Sequence, residues 1–177
     1  IETIKELSDK GTELILFPEL CLTSSNCGDL FLQQTFIKEC AQAIGDIAYN
    51  TRNLNSIIVC GAPVPHGNAL YNFAIVVHKG AVKGIAPKKI LNNGITNEQR
   101  WFTSGNALPC NATVKIAGQE APILKEAIFA TEYYSFGIEI GNESQAPMAP
   151  GALLAANGAD IILNPSASEE IADSNRQ

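Results

Sequence analysis

Residues 136–163 read "FGIEIGNESQAPMAPGALLAANGADIIL". Phe136 to Ile140 is a short apolar run interrupted by one acid, Ala149 to Asn157 is an Ala-rich helical stretch, and Asp160 to Leu163 is a second strand-like run. Two short strands separated by a helix cannot be joined as a hairpin. They form a crossover βαβ unit whose strands run parallel. The sheet is therefore at least partly parallel, and the chain is α/β. In such sheets loops converge beyond the carboxyl ends of the strands, so charged residues just past those ends are the first candidates for chemistry.

Upstream the same logic places more elements. Ile1, Ile4 and Leu7 share one helical face, and Gly11 follows as a C-terminal stop. Glu13 to Phe17 is a nearly continuous apolar run, expected to be a strand covered on both faces and ended by Pro18. A helix is expected from Asp29 as N-cap, with Ile37, Cys40, Ala41, Ile44, Ile47 and Ala48 in a stripe. Ser56 to Cys60 reads as a strand closed by Gly61-Ala62-Pro63, and Ala69 to Val77 turns at His78-Lys79-Gly80 into Ala81 to Ala86. Residues 91–112, around Trp101-Phe102, read as an ordered surface excursion. A hairpin-like pair is expected between Thr113 and Ala130. No repeat or composition break divides the chain, so residues 1–177 are expected to be one domain.

Composition narrows the function classes. Of 177 residues, 46% are apolar and 17% charged, the balance of a globular protein with a sizeable core. Twelve basic against 18 acidic residues give a net charge of −6 with no basic run, which argues against a nucleic-acid partner. No apolar run approaches the roughly 20 residues that span a bilayer, so no membrane association and a cytoplasmic location are expected. Five scattered cysteines (Cys21, Cys27, Cys40, Cys60, Cys110) make no CxxC pair and are expected to be reduced. His66 and His78 lack zinc-site spacing, and there is neither a GxGxxG nor a P-loop, so no metal and no cofactor are expected.

Three positions meet the strand-end criterion: Glu19 in "LILFPEL" (14–20), Lys88 in "GIAPKKIL" (84–91), and Gly141 after "FGIEI" (136–140). If their strands are neighbours, a carboxylate and an ammonium share one pocket. An ordinary buried ion pair satisfies the same spacing. The segments "LILFPELCLTSSNCGDLFLQ", "GAPVPHGNALYNFAIVVHKGAVKGIAPKKIL", "EQRWF", "FGIEI" and "GADIILNPSAS" follow one another as in the nitrilase superfamily. Through "CGDLF" and "RWF" the chain resembles the glutaminase domains of glutamine-dependent NAD synthetases.

That resemblance implies a four-layer αββα sandwich, of which this chain is expected to lack the first strand and the C-terminal strands. It implies a Glu–Lys–Cys triad in which Glu19 is the base and Lys88 the ammonium that stabilises an oxyanion. It also implies that Glu98 helps hold the lysine, and that Asn142, Ser166 and Ser168 lie on the substrate side. An amide is a poor electrophile, so a thiolate must attack it while a carboxylate takes and returns a proton. Where the family reads E-I-C-E-D-x-W-x-P, however, residues 139–147 read "EIGNESQAP", and glycine stands at the nucleophile. Cys21, Cys27 and Cys60 are expected to be structural, and no GxSxG elbow supports Ser166 or Ser168 as a replacement.

Two readings stand. In the first, the chain is a glutamine amidohydrolase domain supplying ammonia to an ATP-dependent synthetase domain or subunit within a homo-oligomer, with turnover impaired by Gly141. In the second, it is a catalytically inactive nitrilase-fold module kept for binding or assembly.

Overall fold

A computed structural model describes residues 1–92 and 97–167. α1 (Glu2–Asp9) buries Ile4, and the chain leaves it through Gly11 at φ +82°. β1 (Leu14–Leu16) pairs in parallel with β2 (Ile57–His66), which pairs antiparallel with β3 (Ala69–His78), and that in turn with β4 (Ala81–Pro87). α2 (Gln34–Asn50) crosses from β1 to β2 and buries Cys40, Ile44, Ile47 and Ala48. A second sheet has the order β7 (Phe129–Ala130), β8 (Ser135–Ile138), β9 (Ile161–Leu163), with β8 and β9 parallel across α3 (Pro150–Ala156). β5 (Thr113–Ile116) and β6 (Gln119–Pro122) form a separate ribbon beside β4.

Period-two alternation explains how the layers stack. Ile58, Cys60, Ala62 and Val64 of β2 and Tyr71, Phe73, Ile75 and Val77 of β3 face Ile4, Ile44 and the rest of the helical layer. The intervening residues Val59, Ala74, Val76 and Ala86 face Phe136, Ile138, Ile140 and Leu163 of the second sheet. On that sheet's other side α3 packs so closely that a β-carbon at Gly137 would lie 2.9 Å from Leu154. The order helix, sheet, sheet, helix is the αββα sandwich that the resemblance implies.

Several local expectations are corrected. Asp29 does not cap α2. It lies inside a 3-10 turn (Gly28–Leu32), and α2 starts at Gln34, because Phe31 turns inward onto Phe36 and Phe102 before the helix begins. β1 is the edge of its sheet among the described residues; Ile15 packs on the helical layer and Leu14 against the second sheet, so both faces are met, but cover runs out at Leu16, which is 39% exposed. β2 does not close at Gly61. It runs on through Pro63 to His66, and β1 pairs with it only as far as Val59, so beyond that point one side of the strand is free of a ladder and tolerates proline. Phe129–Ala130 leaves the β5–β6 hairpin to pair with β8.

Gly61 has a specific reason to be glycine. The chain leaving β1 passes so near it that an added β-carbon would sit 2.2 Å from the Leu20 nitrogen and 2.9 Å from the Glu19 carbonyl carbon. Leu22 N–H donates to Gly61 O at 3.2 Å, and Gly61 N–H donates to Cys21 Sγ at 3.3 Å, which hold the two segments together. Gly61→Ala must push backbone against backbone, and we expect a loss of about 3 kcal/mol in urea unfolding. Burial pushes the Cys40 thiol up to about 12 and that of Cys60 higher still. Cys110, which is exposed, should therefore label with maleimide at pH 7.5 in the folded protein while Cys40 and Cys60 label only on unfolding, as read by mass spectrometry.

Candidate active site

β4 carries its alternation one step beyond its end. Gly84 and Ala86 face the second sheet, and Lys88 continues that row between the sheets, with its N–H donating to Asn72 O at 2.8 Å. Asn72 lies on the same face of β3, and its carboxamide Nδ2 donates to Glu19 Oε1 at 2.7 Å. Glu19 arrives from the opposite edge of the sheet, past the carboxyl end of β1, which points the same way as β4. Pro18 ends β1, Leu20 takes a left-handed φ of +51°, and the segment is drawn over Gly61.

Lys88 Nζ lies 2.8 Å from Glu19 Oε1 and 2.7 Å from Glu98 Oε1, although Glu19 and Lys88 are 69 residues apart in sequence. Lys88 is 2% exposed, Glu19 6% and the Glu98 side chain 15%. An ammonium taken out of water is tolerated only with partners, and here two carboxylates flank it. Glu98 sits on a 3-10 turn (Glu98–Arg100). Its Oε2 accepts Asn92 N–H at 2.8 Å while its own N–H donates to Asn92 O at 2.9 Å. Above this turn Trp101 and Phe102 pack on Phe31, and Arg100 makes a two-pronged contact with Asp29 at 2.9 and 2.8 Å.

Gly141 completes the constellation. It begins a 3-10 turn (Gly141–Gln145) after β8 and has φ +59°. A β-carbon built on it falls 2.7 Å from Glu19 Oε2 and 3.3 Å from Lys88 Nζ. Any side chain at 141 therefore meets both the acid and the amine, and the Glu19 carboxylate must shift to admit it. Gly141 N–H donates to Pro165 O at 2.9 Å and Ala167 N–H to Glu19 Oε2 at 3.3 Å, so the segment after β9 closes the other side.

The residues flanking Gly141 are fixed by two acids that sequence reading did not single out. Glu139 accepts Gly151 N–H at 2.8 Å, placing a carboxylate at the start of α3. Glu143, 1% exposed, accepts Lys89 N–H at 2.6 Å, Ile90 N–H at 3.0 Å and Ile140 N–H at 2.6 Å. Burial pushes the Glu143 carboxyl up, and those three donors pull it part of the way back.

Of the expected site residues, Glu19, Lys88, Glu98 and Gly141 meet in one place. Asn142 adjoins them, half-buried, and its Oδ1, like that of Asn72 and Asn164, is buried without a hydrogen-bond donor. Ser166 is exposed one residue before Ala167, and Ser168 lies outside the described residues. Cys27 Sγ donates to Thr23 O at 2.7 Å, and Cys60 is buried in the helical layer. Asn72 was missed although it carried a signal, a polar residue inside the apolar run "ALYNFAIVV". A cavity of about 590 Å³ lined by Val76, His78, Lys83, Phe129 and Tyr134 lies toward the opposite ends of the strands and shares no residue with this constellation.

The sequence profile described as "Carbon-nitrogen hydrolase" matches residues 1–176. The chain belongs to the carbon–nitrogen hydrolase family. It is 30% identical over 172 residues to the glutamine-dependent NAD(+) synthetase of Mycobacterium bovis, covering 95% of this chain and 25% of that protein. It is 40% identical over 106 residues to the synthetase of the same name from Aquifex aeolicus, covering 59% of this chain and 18% of that one. Among solved structures, a glutamine-dependent NAD(+) synthetase from Cytophaga hutchinsonii matches with a TM-score of 0.78 at 27% identity, over 99% of this chain and 28% of that one. A carbon-nitrogen hydrolase from Helicobacter pylori G27 shares the fold, with a TM-score of 0.66 at 16% identity over 98% of this chain and 57% of that one. The carbon–nitrogen hydrolase chain described here thus spans about a quarter of the length of its NAD(+) synthetase relatives.

The ion cluster has a measurable consequence. Lys88→Met leaves Glu19 and Glu98 without their cation and should cost about 4 kcal/mol in urea unfolding. Adding Glu19→Gln should return more than half of that loss, since the two side chains share one interaction; additive losses would show that they do not.

Proposed function

We propose that this chain carries the amide-hydrolysing framework of a glutamine-dependent NAD synthetase, with the nucleophile replaced by glycine. The observation that carries this reading is the position of the Gly141 β-carbon direction, 2.7 Å from Glu19 Oε2 and 3.3 Å from Lys88 Nζ. A sulfur one bond further out would reach both the base and the cation. We read residues 1–177 as part of one nitrilase-like domain. In the parent protein its partners are an ATP-dependent synthetase domain or subunit and further copies of itself. Five free cysteines fit a cytoplasmic setting.

With cysteine at 141 the reaction runs as follows. Glu19 takes the thiol proton and the thiolate adds to the carbonyl carbon of the glutamine side-chain amide. The Lys88 ammonium and a backbone N–H stabilise the resulting oxyanion. The carbon–nitrogen bond breaks as Glu19 returns its proton, releasing ammonia and leaving a thioester. Water, deprotonated by Glu19, then adds to the thioester and glutamate departs with the thiol restored. Glu98 gives Lys88 a second carboxylate partner, while the family resemblance assigns Asn142, Ser166 and Ser168 to substrate binding. The glycine at 141 removes the covalent step, so turnover of this chain should be close to absent.

The inactive-module reading is favoured by a different observation. The Glu19 carboxylate has settled into the space that a side chain at 141 would need, and Gly141 holds a φ of +59°, where a β-carbon costs about 1–2 kcal/mol. Gly141→Cys separates the two. We expect it to lower thermal stability by about that amount and to raise ammonia release from L-glutamine by about a thousandfold or more. A folded variant with no gain assigns the chain to binding or assembly.

A further inference from the structure

We infer that Glu143 is a positioning residue that sets the separation between Lys88 and residue 141. The importance of that separation rests on the amidase reading above, but the contact itself does not. Lys88 and Gly141 end strands of different sheets, and among the described residues no backbone hydrogen bond joins 88–90 directly to 139–142. One carboxylate makes the connection. Its Oε1 accepts the N–H of Lys89, the residue after Lys88, and of Ile90, while its Oε2 accepts the N–H of Ile140, the residue before Gly141.

A simpler role exists for part of this. An acid at the third position of a turn commonly reaches back to the first backbone N–H, and the bond to Ile140 is of that kind. The bonds to Lys89 and Ile90 cross to the other sheet and exceed what the turn needs. They also use a side chain that is expensive to bury, 1% exposed and with no cation in hydrogen-bond contact, since Lys89 Nζ donates instead to Lys125 O at 2.9 Å. A short carboxylate between two backbone segments is a stiff spacer. A longer or uncharged group changes the gap and leaves at least one buried N–H without its acceptor.

The test needs no substrate. In Gly141→Cys, the thiol introduced at position 141 is titrated by the pH dependence of iodoacetamide alkylation, read on the peptide containing that position so that the native cysteines do not interfere. The charges around it are Glu19, Glu98 and Lys88, with Glu139 and Glu143 on its own segment and Lys89 beyond; loss of the Glu143 charge alone would lower the thiol's pKa, so a rise reports the withdrawal of Lys88. We expect Glu143→Ala, added to that background, to let Lys88 withdraw, raise the thiol's pKa by about one unit and slow its alkylation at pH 7 about tenfold. Glu143→Gln, the variant to use if alanine does not fold, should shift it in the same direction, and Glu143→Asp should restore part of the effect. Leu154→Ala, which loosens α3 against β8 without touching the clamp, serves as the stability control and should leave the titration in place. If the Glu143 variants lose stability but titrate as the parent does, the residue is structural only and the inference fails. An inactive Gly141→Cys protein would overturn the amidase reading while leaving this titration fully interpretable.

Discussion

The fold closes around one ammonium. Lys88 cannot be buried at 2% exposure between two sheets unless anions meet it there, and the chain delivers one from each direction, Glu19 from the end of β1 and Glu98 from the turn below Trp101. Each delivery imposes a local demand. Glu19 reaches the cluster only because Gly61 lets its backbone pass within contact distance of β2, and only if Leu20 accepts a left-handed conformation. Glu98 is held because its turn closes on Asn92 and is capped by aromatic packing on Phe31. The alternation of β4 then places Lys88 on the inner face, so the burial of the cation and the register of the sheet are one constraint.

Much of this was legible from the chain. Strands at 69–78 and 81–87 and the parallel pair across α3 follow from apolar periodicity, and Glu19, Lys88 and Gly141 follow from the rule that chemistry gathers past strand ends. What periodicity could not supply was register and close approach. Pro63 reads as a strand terminator, yet β2 continues through it, because whether proline breaks a strand depends on which neighbour is absent, and that is settled only by tertiary pairing. Asp29 reads as a helix cap, yet it bonds Arg100 and Trp101 across 71 and 72 residues. Glu143 reads as one more departure in a divergent segment, whereas in three dimensions it accepts three backbone N–H groups drawn from two segments beside the site.

The acids at 139 and 143 explain how the region around Gly141 holds its shape with no side chain at that position. Glu139 ties the end of β8 to the start of α3, and Glu143 ties the following turn to the segment after β4. Between them the backbone at 141 is fixed from both sides, and Gly141 N–H is fixed a third time by Pro165 O. None of these contacts involves a side chain at 141. On the proposed reading, glycine in place of cysteine there takes away a reactant without taking away a support, and it leaves a left-handed residue without a β-carbon.

That asymmetry bears on how an inactive relative of an enzyme is to be read. A buried ion cluster is costly to dismantle one member at a time, because each single loss leaves an uncompensated charge, whereas the nucleophile contributes almost nothing to folding. The acid and the amine of such a site are therefore expected to outlast the nucleophile whether or not any reaction still depends on them. The presence of Glu19, Lys88 and Glu98 together is accounted for by the constraint on folding alone. What the proposed chemistry adds to that constraint is the direction of a β-carbon at 141, which meets the acid and the amine.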